Sequence, residues 1–218
     1  MNPAALFDPA SAAIVLGGTV LATFLRCGTT NCRLVAVSLS QLGRKPFDAQ
    51  GTKADLAVQV REIQQAGLLR ASSHHFGDRE FDEATDALIG RRSVAALHAA
   101  HENHRARRAD TSSRASATLA QAAELAPVFG LAGTLVSLSQ LPADGIARGA
   151  YAGAIGMAVL TTLYGLLLAN LLLAPLARII ERAAAAEERE RQLIVDWLAR
   201  QVAPEIPQRR SAELEAAA

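Results

Sequence analysis

The chain has 218 residues, with 22 Lys and Arg against 21 Asp and Glu and a formal net charge of +1, which gives no electrostatic reason to expect a nucleic-acid partner. Half of the residues are hydrophobic (50%) and 20% are charged, but the two kinds are segregated into blocks, which excludes an ordinary soluble domain with charge spread over its surface.

After a tail over residues 1–10, the 17 residues from Pro9 to Leu25 carry no charge. They predict a first membrane helix over 11–26, near the lower length limit for spanning. A cleaved signal peptide fits less well. No basic segment precedes the apolar run, and Arg26 stands where small residues would mark the cleavage site. Cys27 and Cys32 follow in C-x4-C spacing without a second Cys or His pair, so they predict reduced thiols and no metal.

Residues 27–117 read as a helical domain without enzyme signatures: there is no phosphate-binding glycine loop and no nucleophile elbow. Lys53 to Leu69 places Leu56, Val60 and Ile63 at helical spacing and stops at Gly67. Asp78 to Ile89 opens with acidic residues suited to a helix N-terminus and ends at Gly90. From Ser93 to Thr118 the chain has neither Pro nor Gly, so one long helix is expected to run into the second span. His98, His101 and His104 recur along this Arg-rich helix and read as solvated, without an assigned role.

The second span is predicted at 118–141, since 19 uncharged residues separate Glu124 from Asp144, and a loop over 142–149 follows. The third is predicted at 150–177. Residues 149–177 contain 29 uncharged positions, roughly 43 Å of helix against the 30 Å or so of a hydrocarbon core. Thr161, Thr162, Tyr164, Asn170 and Pro175 lie inside it, and polar groups at that depth need an internal partner or water, which points to a pore or a helix interface. A helix over 178–203 continues beyond, and Pro204 and Pro207 open a tail over 204–218 that reads as disordered.

Of the basic residues, 14 fall from Arg26 to Arg114, seven from Arg178 to Arg210, and only Arg148 lies elsewhere. Under the positive-inside rule both blocks are cytoplasmic, the N-terminus and the 142–149 loop are periplasmic, and the C-terminus is cytoplasmic. The expected fold is an all-α integral membrane protein with three transmembrane helices, two long helices extending into the cytoplasm and a helical cytoplasmic domain.

Three segments carry a family resemblance. LAPVFGLAGTLVSLSQL (125–141) is similar to the Ala-Pro-x-x-Gly-x-x-Gly-Thr segment of the MotA/TolQ/ExbB family, ring-forming subunits of ion-driven inner-membrane motors. AVLTTLYGLLLANLLLAPLARII (158–180) resembles the last membrane helix of its flagellar-motor branch, and LFDPASAAIVLGGTVLAT resembles that branch's Asp-Pro-x-Ser segment and the Val-Leu-Gly-Gly-Thr core after it. The resemblance implies a bacterial inner-membrane homo-oligomer, a pentamer, around a single-span MotB-like partner (or a TolR/ExbD-like one) whose Asp carries the ion, with no cofactor, no nucleic acid and no enzymatic activity.

This chain has no carboxylate deep in a span. Where the TolQ/ExbB branch carries a Glu in its last span, Met157 stands here, which places the chain nearer MotA. Thr134, Thr161 and Thr162 are the expected ion-path residues, because a hydroxyl accepts and donates hydrogen bonds without carrying charge; the alternative is bonding back to a carbonyl of the same helix. Pro127 and Pro175 match the family's two prolines. Each removes a backbone donor and frees a carbonyl, giving either a moving or a static kink. Gly130, Gly133, Gly156 and Gly165 read as close-packing positions.

The chain departs from the motor branch in two ways. It shows three spans where MotA proteins have four. In VREIQQAGLLRAS the family's rotor-facing Arg falls on Gln64 and its Glu on Ser72, leaving nearby Arg61 and Arg70 as weak substitutes for cytoplasmic coupling. The expected function is a MotA-like stator channel, with protons as the expected ion; the alternatives are a TolQ/ExbB-type energiser of envelope transport and a non-conducting membrane scaffold.

Overall fold

The computed structural model describes residues 8–43, 47–67, 70–72, 74–139 and 148–205. Residues 1–7 of the expected tail over 1–10, 206–218 of that over 204–218, 140–141 of the expected second span and 142–147 of the 142–149 loop lie outside the described residues. Among those described, the protein is all helical, with no strand. Its helices are α1 (Pro9–Leu42), α2 (Ala49–Ala66), α3 (Arg79–Arg91), α4 (Val94–Ser139), α5 (Arg148–Leu167) and α6 (Ala174–Val202), with a π-helical segment, Leu168–Leu173, between the last two.

Local chemistry sets the helix ends. Asp8 caps α1 by accepting from the Ser11 amide at 2.8 Å, and Pro9 fills the first turn, where a missing N–H costs nothing. Asp48 and Asp78 cap α2 and α3 in the same way. Gly67 ends α2 at φ 75° and ψ 156°, a region essentially reserved for glycine. α3 passes the expected stop at Gly90 and ends on Arg92, which takes the left-handed conformation instead.

Two units divide the chain. One comprises Met1–Arg44 and Asp110–Ala183 and contains the apolar helical stretches. Three of the helices are long and apolar enough to cross a membrane. Large side chains such as Leu21, Leu25, Leu135, Val159 and Leu171 stand exposed, while the buried cluster is small: Ala115, Leu119, Ala177 and Ile180, flanked by Leu34, Val35 and Leu39. A surface richer in large apolar groups than its own interior suits a lipid solvent, in which burying Leu gains nothing over leaving it outside.

Within α1 the helix breaks at Gly28, two residues past the span expected over 11–26, where a φ of 76° and ψ of 167° again suit glycine alone. A second helical segment, which the sequence reading did not expect, follows to Leu42, and its Leu34, Val35 and Leu39 pack against this cluster.

The second unit, Lys45–Ala109 and Ala184–Ala218, has an ordinary water-soluble core. Leu56, Val60 and Ile63 of α2, Phe81, Ala84 and Leu88 of α3, Leu97 of α4, and Ile194, Val195, Leu198 and Val202 of α6 bury one another. At about 1.5–3 kcal/mol for each fully buried large side chain, this core holds four helical segments that isolated propensity would leave marginal.

Gly28→Ala should lower stability in detergent by about 1–3 kcal/mol, because alanine cannot adopt the Gly28 backbone conformation without strain. Thermal unfolding against the unmodified protein measures this.

Candidate functional site

The α4 and α5 backbones nearly touch. A Cβ on Gly165 would lie 2.6 Å from the Ala126 carbonyl oxygen and 3.2 Å from Pro127 Cα; one on Gly130 would lie 3.0 Å from the Thr161 carbonyl oxygen. One on Gly133 would meet the Thr161 side chain at 2.8 Å. At Gly165 only hydrogen fits, and a side chain at Gly130 or Gly133 would force its neighbour to shift, so these three positions set how closely α4 and α5 approach. Gly156 differs: nothing of this chain lies within 4 Å of where its Cβ would be. On α1, a Cβ at Gly18 would fall 2.3 Å from the Phe129 ring, so α1 receives that aromatic face on a bare backbone.

The hydroxyls stand around this approach. Thr161 is completely buried and donates to the Ala158 carbonyl at 2.9 Å, so within one subunit it packs against Gly133. Thr162, half-buried, donates to the same carbonyl at 3.4 Å, and the half-buried Thr134 donates to that of Leu131 at 2.6 Å. All three therefore bond back to their own helix, as do Ser137, Thr118 and Asn170. The long bond of Thr162 is the one most readily exchanged for another partner. Tyr164 Oη accepts from the Asp8 amide at 3.1 Å.

Pro127 lies inside the continuous α4, where its ring removes a donor to the Ala123 carbonyl. Pro175 follows directly on the π-helical segment, in which the Ala174 amide bonds to the Ala169 carbonyl, one residue further back than in an α-helix. The sequence reading expects a simple kink here. The structure instead widens a whole turn, which reroutes backbone bonds around the donor that proline lacks.

In the second unit Arg61 and Arg70 are exposed. Glu62 is held by the Ser72 hydroxyl at 3.3 Å and by His74, and Gln64 lies 3.5 Å from the carbonyl and side-chain oxygens of Gln201.

The expectation of solvated histidines is corrected for His101, which is completely buried. Its Nδ1 lies 2.7 Å from Glu80 Oε1 and its Nε2 lies 2.9 Å from Gln192 Oε1. Glu80 also accepts from Arg108 and Arg191, and Arg108 reaches Glu188. The available signal was Leu97, one turn before His101 on the buried face. The hydrogen bond to Glu80 raises the His101 pKa above its ordinary value. Burial pushes Glu80 upward, but its bonds to His101 and Arg108 outweigh that and hold its carboxyl below the usual range.

Capped helices, an apolar unit of three span-length helices and a charge-free close approach between two of them define a multi-span helical membrane protein. The MotA/TolQ/ExbB proton channel family matches residues 69–193, and the chain belongs to that family. It is a channel-family protein and not an enzyme. Motility protein A of Borreliella burgdorferi is 34% identical over 74 residues, 34% of this chain and 28% of that protein. Chemotaxis protein PomA of Vibrio alginolyticus is 23% identical over 194 residues, 87% of this chain and 75% of its own length. Against the flagellar MotAB stator complex of Bacillus subtilis the TM-score is 0.79 at 18% identity, covering 98% of this chain and 88% of the other; against C. jejuni MotAB it is 0.79, covering 100% and 85%.

Gly165→Ala should push α4 and α5 apart and cost about 1–3 kcal/mol, as overpacking does. Gly156→Ala, with open space around it, should leave the unfolding temperature in detergent unchanged.

Proposed function

We propose that the chain is a MotA-like ring subunit of an inner-membrane stator, conducting protons between itself and a single-span MotB-like partner and converting the ion gradient into mechanical work. One observation carries this: the close approach of α4 and α5 holds hydroxyls but no carboxylate, since none occurs from Leu125 to Ala143 or from Gly149 to Ala177. A protein of a proton channel family that has no acid in these spans must borrow its proton carrier, and a partner Asp supplies one. Met157, at the place of the TolQ/ExbB glutamate, weighs against the energiser reading.

In this reading, five copies form a ring, the N-terminus is periplasmic and the C-terminus cytoplasmic. Thr162 and Thr134, both partly open to the surroundings of the subunit, turn from their own carbonyls toward the partner carboxylate or its water. Pro127 and Pro175 let α4 and the start of α6 change angle as that carboxylate gains or loses its proton, because each interrupts the regular run of backbone hydrogen bonds. Thr161 serves the packing of the two helices. With Gln64 and Ser72 in the rotor-facing positions, only Arg61 and Arg70 offer charge to a rotor.

Vesicles holding this chain together with a single-span protein that bears an Asp just inside its helix should take up protons, and vesicles holding either alone should not. Equal flux without the partner would overturn the reading, and no flux with it would favour a scaffold. Thr162→Val should insert normally and lower the flux about tenfold, as loss of a hydrogen bond to a charged group does. Pro175→Leu, which restores a backbone donor, should assemble yet abolish the flux.

A further inference from the structure

The second unit holds a titratable cluster that ion conduction leaves unused. Gln192 Nε2 donates to Asp196 Oδ1 at 2.8 Å, which fixes the amide so that its oxygen faces His101 Nε2. That ring nitrogen therefore carries a hydrogen. The other, Nδ1, faces Glu80 Oε1, and Glu80 is ionised because its second oxygen accepts from two guanidinium groups, those of Arg108 and Arg191. Nδ1 carries a hydrogen as well, so the geometry requires an imidazolium.

The charged groups around it come from three elements. Glu80 and the Arg191-bound Asp78 stand on or next to α3, Arg105 and Arg108 on α4 itself, and Glu188 and Arg191 on α6. Glu188 Oε1 is buried without a hydrogen-bond partner, 3.4 Å from His101 Nε2 and 3.8 Å from the half-exposed Arg105. Its other oxygen accepts from Arg108 at 2.6 Å, and the imidazolium is the nearer of the two cations facing Oε1 itself.

We propose that His101 is a proton-operated clamp, tightening α3 and α6 onto α4 while it is protonated and loosening α6 when its proton leaves. The remaining hydrogen stays on Nδ1, against the Glu80 anion. Nε2 then presents a lone pair to the Gln192 oxygen and the Glu188 carboxylate, two acceptors with no hydrogen between, and Gln192 can turn only by giving up Asp196. The α4–α6 contact is therefore the one that weakens, left to the Arg108–Glu188 pair and the apolar core. The hydrogen bond to Glu80 raises the folded pKa, so the clamp is fully present below the ordinary histidine value of about 6.5 and is lost as pH rises through the higher folded value. The helices it joins are the ones that lead into the second and third spans.

Amide exchange of the full chain in detergent, corrected for the intrinsic effect of pH and followed from pH 6 to 9, tests this without any reference to ion flux. Protection over residues 187–196 should fall about tenfold across the transition, the factor that loss of a hydrogen bond to a charged group produces, while the α2 core stays protected. His101→Gln, which has no proton to lose in this range, should abolish the step. Should that variant not fold, 15N-histidine spectra of the unmodified protein decide: His101 doubly protonated at pH 6, and retaining Nδ1–H as α6 protection falls, supports the clamp. The same step in His101→Gln, a neutral His101 at pH 6, or a titration with no change in α6 would overturn it.

Discussion

Everything in the apolar unit turns on the near-contact of two backbones at Gly130 and Gly165. Between apolar helices in lipid, no hydrophobic force drives association, so cohesion has to come from close packing, and close packing needs positions without a side chain. Gly165 against Ala126 and Pro127, and Gly133 against Thr161, satisfy that need within a few turns. The same requirement keeps charge out, because a carboxylate at so narrow an approach would have neither room nor water. The lack of a membrane-buried acid and the tightness of the helix pair thus have one physical origin.

The second unit solves a different problem. Its helices meet in water, and large apolar residues such as Phe81, Leu88 and Leu198 drive them together, while Glu80, His101, Arg108 and Arg191 form a network beside that core. A buried network of this kind adds little net stability, since desolvation offsets much of the Coulomb attraction. What it fixes is geometry. A core of interchangeable aliphatic groups tolerates rotation of one helix over another, whereas the fork of Arg191, shared between Asp78 and Glu80 and lying over the Phe47 ring at 4.2 Å, admits one arrangement.

Much of this was legible in the amino-acid sequence because it rests on length and period. Uncharged runs mark the apolar helices, Asp78 marks a helix start, and Leu56, Val60 and Ile63 mark the face of α2 that is buried, whereas the start of α2 at Asp48, before the expected Lys53, went unread. What escaped depends on partners distant in sequence. The helical segment beyond Gly28, up to Leu42, follows from Leu34 and Leu39 meeting a cluster supplied by α4 and α6, and His101 looks like any polar residue of an Arg-rich helix until Glu80 and Gln192 are placed around it. The π-helical turn before Pro175 was hidden for another reason: proline announces a missing donor but not how the backbone redistributes its bonds.

The seat of Phe129 on Gly18 has a mechanical consequence. Phe129 comes two residues after Pro127, within the same turn in which α4 lacks a backbone donor. A side chain at Gly18 would collide with the ring, so the bare step of α1 there is what lets the ring lie against the α1 backbone. α1, which contributes no acid and none of the three threonines, thereby braces α4 from one side at the turn that proline leaves short of a hydrogen bond.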